Sequence, residues 1–89
     1  MISVMIYGVK NCCMCSLAKD FLRTISNQYN LIVTFMDLDE NIDSKQHLTK
    51  LGFKFMPVIR IGDKYFDGFN KNEILVYINS LGGFDNGNK

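Results

Sequence analysis

The sequence predicts an α/β fold in which a four-stranded mixed sheet is flanked by three helices, in the order β-α-β-α-β-β-α. Three observations lead to it: apolar runs of strand length, amphipathic stretches with helical spacing, and the two-residue hairpin turn Gly62-Asp63. With 89 residues the chain is long enough for one domain with its own core. We place this domain at residues 1–81 and expect a flexible C-terminal tail at residues 82–89.

The first half of the chain predicts a strand, a helix and a second strand. Ile2–Tyr7 form a nearly continuous apolar run that ends at Gly8, as is typical of a strand buried on both faces. The helix that follows extends to Asn27 or Tyr29. Its apolar stripe consists of Leu17, Ala18, Phe21, Leu22 and Ile25. The second strand covers Leu31–Met36, and this β-α-β order implies a parallel pair with a right-handed crossover.

The second half predicts a short helix, a hairpin and a last helix. The short helix, from about Asp43 to Leu51, is weakly patterned and mostly exposed, and Gly52 ends it. The hairpin joins residues 57–61 to residues 64–66. Asn70 caps the last helix. The apolar stripe of that helix is Ile74, Leu75, Ile78 and Leu81, and Gly82-Gly83 ends it.

All three cysteines lie in the segment Cys12-Cys13-Met14-Cys15, where the first helix begins. Cys12 and Cys15 are three positions apart, so both sulfurs lie on one face of the first turn, close enough to form a disulfide. The partial positive charge of a helix N-terminus favours the thiolate of Cys12, and the thiolate is the species that attacks disulfides. A CxxC motif between a strand and a helix is typical of thioredoxin-like redox chemistry.

Composition and charge narrow the class of protein. The net charge is +1 and no stretch is strongly basic, so we expect no nucleic-acid partner. The longest apolar runs are too short to cross a bilayer, and the N-terminus has no signal-peptide pattern. We therefore expect a cytoplasmic monomer without a membrane partner. In the cytosol a cysteine cluster is more often catalytic or metal-binding than structural.

The order of elements and the cysteine motif together resemble the glutaredoxin family of the thioredoxin superfamily, over roughly residues 2–81. Pro57 is the only proline and stands at the start of the third predicted strand. The resemblance implies a thioredoxin-like fold in which Pro57 is cis and faces the dithiol. Met56 would then offer its backbone N–H and C=O to the substrate as a short antiparallel pairing.

Two further stretches resemble the glutaredoxin-like redoxins called NrdH. They are Leu51-Gly52-Phe53 with Met56-Pro57-Val58, and Tyr65-Phe66-Asp67-Gly68-Phe69-Asn70. The resemblance implies an electron donor to a protein disulfide such as that of ribonucleotide reductase, reduced by thioredoxin reductase and without a tightly bound cofactor. The sequence departs from this type where Asn70-Lys71 replaces Arg-Pro and Cys13-Met14 replaces Val-Gln, which leaves glutathione open as the reductant.

The resemblance also implies roles for individual residues. Cys12 attacks the target disulfide, and Cys15 then attacks Cys12 and releases the reduced target. The predicted substrate-binding residues are Lys10, Met56, Pro57, Gly68, Phe69 and Asn70. Free N–H groups at Asn70 and Lys71 would bind a substrate carboxylate. The same Gly68-Phe69-Asn70 stretch is equally explained as a turn followed by an N-cap.

Three other functions remain open. A glutathione-dependent glutaredoxin would need a cation for the glycyl carboxylate, for which Lys10 is the best candidate. A metal or iron–sulfur cluster carrier would draw on the three cysteines and His47, or share a cluster between two protomers. A binding adapter would not need Cys12. Cys13 is either a partly exposed bystander or a regulatory thiol open to glutathionylation.

Overall fold

The computed structural model describes residues 1–81, and its secondary structure follows the predicted order. The elements are β1 (Ile2–Gly8), α1 (Cys13–Tyr29), β2 (Leu31–Asp37), α2 (Ile42–Lys50), β3 (Val58–Ile61), β4 (Lys64–Asp67) and α3 (Lys71–Ser80). A 3-10 helix, Leu38–Glu40, lies between β2 and α2 and was not predicted. The Asp37 carboxylate starts it by accepting a hydrogen bond from the Asp39 N–H. The predicted tail and the helix stop at Gly82-Gly83 lie outside the described residues.

The four strands form one mixed sheet in the order β2-β1-β3-β4. β1 and β2 are parallel, with Ile2 opposite Leu31, whereas β3 runs antiparallel to both β1 and β4. Gly62 and Asp63 form the turn between β3 and β4, and Gly62 has a φ of +59°, which glycine adopts without strain. The predicted sheet and hairpin are therefore confirmed.

The core has one part on each face of the sheet. Helices α1 and α3 pack on one face, where the buried side chains include Val4, Ile6, Ala18, Leu22, Ile59, Ile61, Phe66, Ile74 and Ile78. On the other face the buried side chains are Tyr7, Leu38, Leu48 and Val58, of which Leu48 comes from α2. Because β1 and β3 lie in the middle of the sheet, each contributes buried side chains to both faces, as the continuous apolar run of β1 predicted for that strand.

Two leucines of the predicted stripes are exposed, contrary to the prediction. Leu17 was placed on the buried face of α1 but is 54% exposed. The buried face is centred on Ala18 and Leu22, and Leu17 is turned about 100° from Ala18 around the helix, which takes it toward solvent. Leu81 was placed in the stripe of α3 but follows the last helical turn and is 42% exposed.

None of the helices within residues 1–81 is long and apolar enough to cross a bilayer.

Candidate active site

Cys12 and Cys15 lie at the start of α1, on the turn that follows β1. Asn11 has a φ of +60°, a left-handed conformation that asparagine tolerates better than most residues, and it brings the chain into the helix. Cys12 is the N-cap, and its Sγ accepts a hydrogen bond of 3.2 Å from the backbone N–H of Cys15. The sulfur of Cys12 therefore takes the place of the side-chain oxygen that usually caps a helix.

The three free cysteines differ in their access to solvent. Cys12 is half-buried, Cys13 is exposed, and Cys15 is only 2% exposed. Burial is the main cause that raises the pKa of Cys15 from 9.0 to about 11, and its hydrogen bond to Cys12 and the negative charge of Cys12 contribute to the same rise. At neutral pH the site thus combines an accessible sulfur with a buried, protonated thiol one turn deeper in the helix.

Gly8 makes room for Cys15, a role that the sequence reasoning missed. A Cβ added to Gly8 would lie 2.8 Å from the Cys15 Sγ, 3.1 Å from the Cys15 Cβ and 3.2 Å from Cε1 of Phe35. Such distances are too short for ordinary packing. The sequence held one sign of this role, because a glycine in a strand often marks a close approach of another group, and Gly8 is the last residue of β1.

The loop before β3 is held against the end of β4. The Met56–Pro57 peptide bond is cis, as the resemblance implied. The Gly68 N–H donates to the Pro57 carbonyl at 2.9 Å, and the Phe55 N–H donates to Oδ1 of Asp67 at 3.0 Å. The structure therefore brings together Met56, Pro57 and Gly68, three of the predicted substrate-binding residues.

Met56 also links this loop to the one that carries the cysteines. Its half-buried side chain packs against the core cluster that contains Tyr7 and Val58, and Val9 packs against the same cluster. Val9 lies in the loop between β1 and Cys12. Both loops are thus anchored on one part of the core.

Phe69 and Asn70 have clear structural roles. Phe69 is half-buried, and its ring lies 5.8 Å from the ring of Phe21 in α1. The Asn70 side chain accepts a hydrogen bond of 3.0 Å from the Glu73 N–H and caps α3, as predicted. Binding of a substrate carboxylate by this turn stays a prediction.

Lys10 is engaged by an acidic side chain. Its Nζ lies 3.5 Å from Oε2 of Glu40, and the two side chains are 75% and 68% exposed. An ion pair this open to water contributes little to stability. It nevertheless gives Lys10 a carboxylate partner that would compete with the carboxylate of a bound substrate.

An open cavity lies directly beside the first cysteines. It has a volume of about 560 Å³ and is lined by Asn11, Cys12, Cys13, Ser16 and Leu17. The sequence reasoning missed it, because Leu17 was assigned to the core. Across residues 1–81, no three or more histidine, cysteine or acidic side chains are grouped so that they could hold a metal ion.

A thioredoxin-type sheet with an accessible and a buried thiol at the start of α1 defines a dithiol–disulfide oxidoreductase. The comparisons with known proteins agree. The profile of the glutaredoxin family matches residues 4–66, and the chain belongs to this family.

Among its relatives are NrdH-type proteins, which confirms the predicted resemblance. The chain is 27% identical over 71 residues to the glutaredoxin-like protein NrdH of Lactococcus lactis subsp. cremoris (strain MG1363), which covers 80% of this chain and 93% of that protein. The structure of the glutaredoxin-like NrdH-redoxin from Escherichia coli superposes with a TM-score of 0.66 at 22% identity, over 89% of this chain and 93% of the other.

A thioredoxin shares the same architecture. Chloroplastic thioredoxin z superposes with a TM-score of 0.76 at 19% identity, over 91% of this chain and 78% of the other. The predicted thioredoxin-like fold is therefore confirmed.

Proposed function

We propose that this chain donates electrons to the disulfide of a partner protein, as an NrdH-type redoxin does, with Cys12 as the attacking thiol and Cys15 as the resolving thiol. The observation that carries the proposal is the difference in burial between Cys12 and Cys15 at the start of one helix. The more accessible residue, Cys12, accepts a hydrogen bond at its sulfur from the N–H of Cys15. The resemblance to NrdH favours ribonucleotide reductase as the partner.

The first step forms a mixed disulfide. The thiolate of Cys12 attacks one sulfur of the target disulfide, a new S–S bond forms, and the second target sulfur leaves with the electron pair as a thiolate. The N–H of Cys15 supports the negative charge on Cys12 before the attack. Cys15 does not compete as the first nucleophile, because it is buried and its pKa is about 11.

The second step releases the target. Cys15 loses its proton and attacks the Sγ of Cys12, so a disulfide forms between them and the target leaves as a second thiolate. The mixed disulfide removes the charge of Cys12, which is one of the causes that raise the pKa of Cys15. Cys15 therefore becomes easier to deprotonate only after Cys12 has reacted. The target gains two electrons, and this chain is oxidised by two.

The remaining predicted residues would hold the substrate. Met56 would pair through its backbone with an extended segment of the target, next to Pro57. Gly68, Phe69 and Asn70 form the adjacent turn, which would contact the same segment or accept a carboxylate at the start of α3. Lys10 would contribute if its pairing with Glu40 opens.

The first test determines which reducing system supplies electrons to the oxidised protein. The oxidised protein is offered NADPH with thioredoxin reductase and, separately, NADPH with glutathione and glutathione reductase, while NADPH consumption is recorded. We expect turnover with thioredoxin reductase, in keeping with the thioredoxin-like activity profile reported for the E. coli NrdH-redoxin. Turnover only with glutathione would instead assign a glutathione-dependent glutaredoxin.

Cysteine variants test the two roles. Cys12→Ser should abolish reduction of a protein disulfide, and Cys15→Ser should accumulate mixed disulfides that a non-reducing gel resolves. Cys13→Ser is the matched control and should keep the activity. If Cys12→Ser retained near-normal disulfide reduction, the assignment of the attacking thiol would be wrong.

A further inference from the structure

Leu17 places an apolar surface beside the attacking sulfur. It belongs to α1 but is 54% exposed, and it lines the 560 Å³ cavity together with Cys12 and Cys13. We name this cavity, lined by Asn11, Cys12, Cys13, Ser16 and Leu17, the α1 cleft. Its volume lies within the range of sites that bind small ligands or side chains.

We propose that the α1 cleft binds the residue next to the reacting cysteine of a protein substrate and selects an apolar side chain at that position, with Leu17 as the specificity-determining contact. This inference rests on the proposed function, because it takes Cys12 as the atom that meets the substrate. It adds a preference of substrate sequence to the backbone pairing at Met56, which by itself requires no particular side chain.

The position of Cys12 fixes what enters the cleft. Formation of the mixed disulfide brings a target sulfur into bonding contact with the Sγ of Cys12, and Cys12 is one of the residues that line the cleft. The residue before or after the target cysteine is only about 3.8 Å away along its backbone. Its side chain is therefore within reach of the space between Cys12 and Leu17 when the sulfurs meet.

The lining of the cleft determines the chemistry of the occupant. Asn11 and Ser16 are uncharged, and Leu17 is the large apolar side chain of the set. A glutamate entering here would lose water without meeting a cation in the lining, and it would face the negative charge of the Cys12 thiolate before the attack. An apolar side chain gains by covering Leu17.

Val76 provides a matched control. It is an apolar residue that is 70% exposed, but it lies on α3 in a different cavity, beside the charged residues Lys64, Asp67 and Glu73. Substitution of Val76 therefore removes a similar exposed apolar surface without touching the lining of the α1 cleft.

The experiment uses two peptides that differ only in the residues on either side of a single cysteine, which are both leucine in one peptide and both serine in the other. The cysteine of each carries thionitrobenzoate in a disulfide. When Cys12 attacks the peptide sulfur, the new disulfide forms and thionitrobenzoate leaves as a coloured thiolate. The rate constant of a single turnover by the reduced, full-length protein is measured for both peptides with the wild type, Leu17→Ser and Val76→Ser.

We expect the wild type and Val76→Ser to react about fivefold faster with the leucine peptide, and Leu17→Ser to react with both peptides at similar rates. Equal rates for the two peptides with the wild type, or a preference that survives in Leu17→Ser, would overturn the inference and leave the role of Cys12 intact. No release of thionitrobenzoate from either peptide would overturn the proposed function, and the inference with it.

Discussion

The backbone N–H of Cys15 points at the sulfur of Cys12 and donates a hydrogen bond to it over 3.2 Å. One residue thus contributes to the site twice, through an amide that supports the accessible sulfur and through a thiol that is held out of water. The amide is available because the first N–H groups of a helix have no partner within the helix.

Alkylation of the reduced native protein should distinguish the three thiols. We expect iodoacetamide at pH 8 to modify Cys12 and Cys13 but not Cys15, because Cys15 is 2% exposed and its pKa is about 11. In guanidinium chloride all three should react. Mass spectrometry of the digested protein gives the modified positions, and labelling of Cys15 as fast as Cys13 would contradict the expectation.

The stability of the reduced protein should fall as the pH rises from about 9 to about 11. Well below pH 9 the Cys15 thiol is protonated in both the folded and the unfolded chain. Above it, the unfolded chain, with an ordinary pKa of 9.0, loses the proton first, and this favours unfolding until the pH passes the folded-state pKa of about 11. One pKa unit corresponds to about 1.4 kcal/mol, so the loss approaches roughly 2–3 kcal/mol.

Urea unfolding at several pH values measures this loss, with Cys15→Ala as the control. Every other side chain is the same in both proteins, so the difference between the two stability profiles reports on Cys15 and its interaction with Cys12. Parallel profiles from pH 8 to pH 11 would count against a raised pKa.

Gly8→Ala should destabilise the protein through its contact with Cys15. The added methyl group would lie 2.8 Å from the Cys15 Sγ, and overpacking of this kind costs about 1–3 kcal/mol. The cost should be smaller in a Cys15→Ala background, where that sulfur is absent and the contact with Phe35 remains. Ser3→Ala, at an exposed position of the same strand, controls for the strand itself. If Gly8→Ala lowered the free energy of unfolding equally in both backgrounds, the Cys15 sulfur would not be the atom with which the methyl group clashes.

Asn70→Ala should lower the free energy of unfolding by about 0.5–2 kcal/mol, because the Glu73 N–H loses its acceptor. Asn70→Ser retains a capping oxygen and should recover most of the loss. Asn72→Ala changes the same residue type at an exposed position inside α3 and should have little effect. Denaturant unfolding of the three variants measures the differences. If Asn70→Ala were as stable as the wild type, the hydrogen bond from the Glu73 N–H to Asn70 would contribute little to stability.

The sequence was most informative for features that depend on residues close together in the chain. The spacing of Cys12 and Cys15, the turn at Gly62-Asp63 and the cap at Asn70 all depend on neighbouring residues, and each was predicted correctly. The prediction of a cis bond before Pro57 came from the resemblance alone, because the presence of a proline in a sequence does not determine whether its peptide bond is cis or trans.

The features that were missed depend on contacts between distant parts of the chain. Gly8 lies against Cys15 and Phe35, and helical spacing around Cys15 gives no sign of it. Leu17 has the spacing of a core residue, but the buried face of α1 is centred on Ala18 and Leu22, and Leu17 is 54% exposed. The pairing of Lys10 with Glu40 needs the 3-10 helix, which the sequence did not predict.

The longest helix of the described chain is capped by Cys12, whose sulfur also takes part in the proposed disulfide exchange. Serine, threonine, asparagine and aspartate are the residues that start helices most firmly, and Cys12 occupies the position of one of them. A serine at position 12 would hold the helix start at least as well and would carry out no disulfide exchange. Selection for folding alone would therefore favour replacing Cys12, and its presence at the helix start records a requirement that the fold itself does not impose.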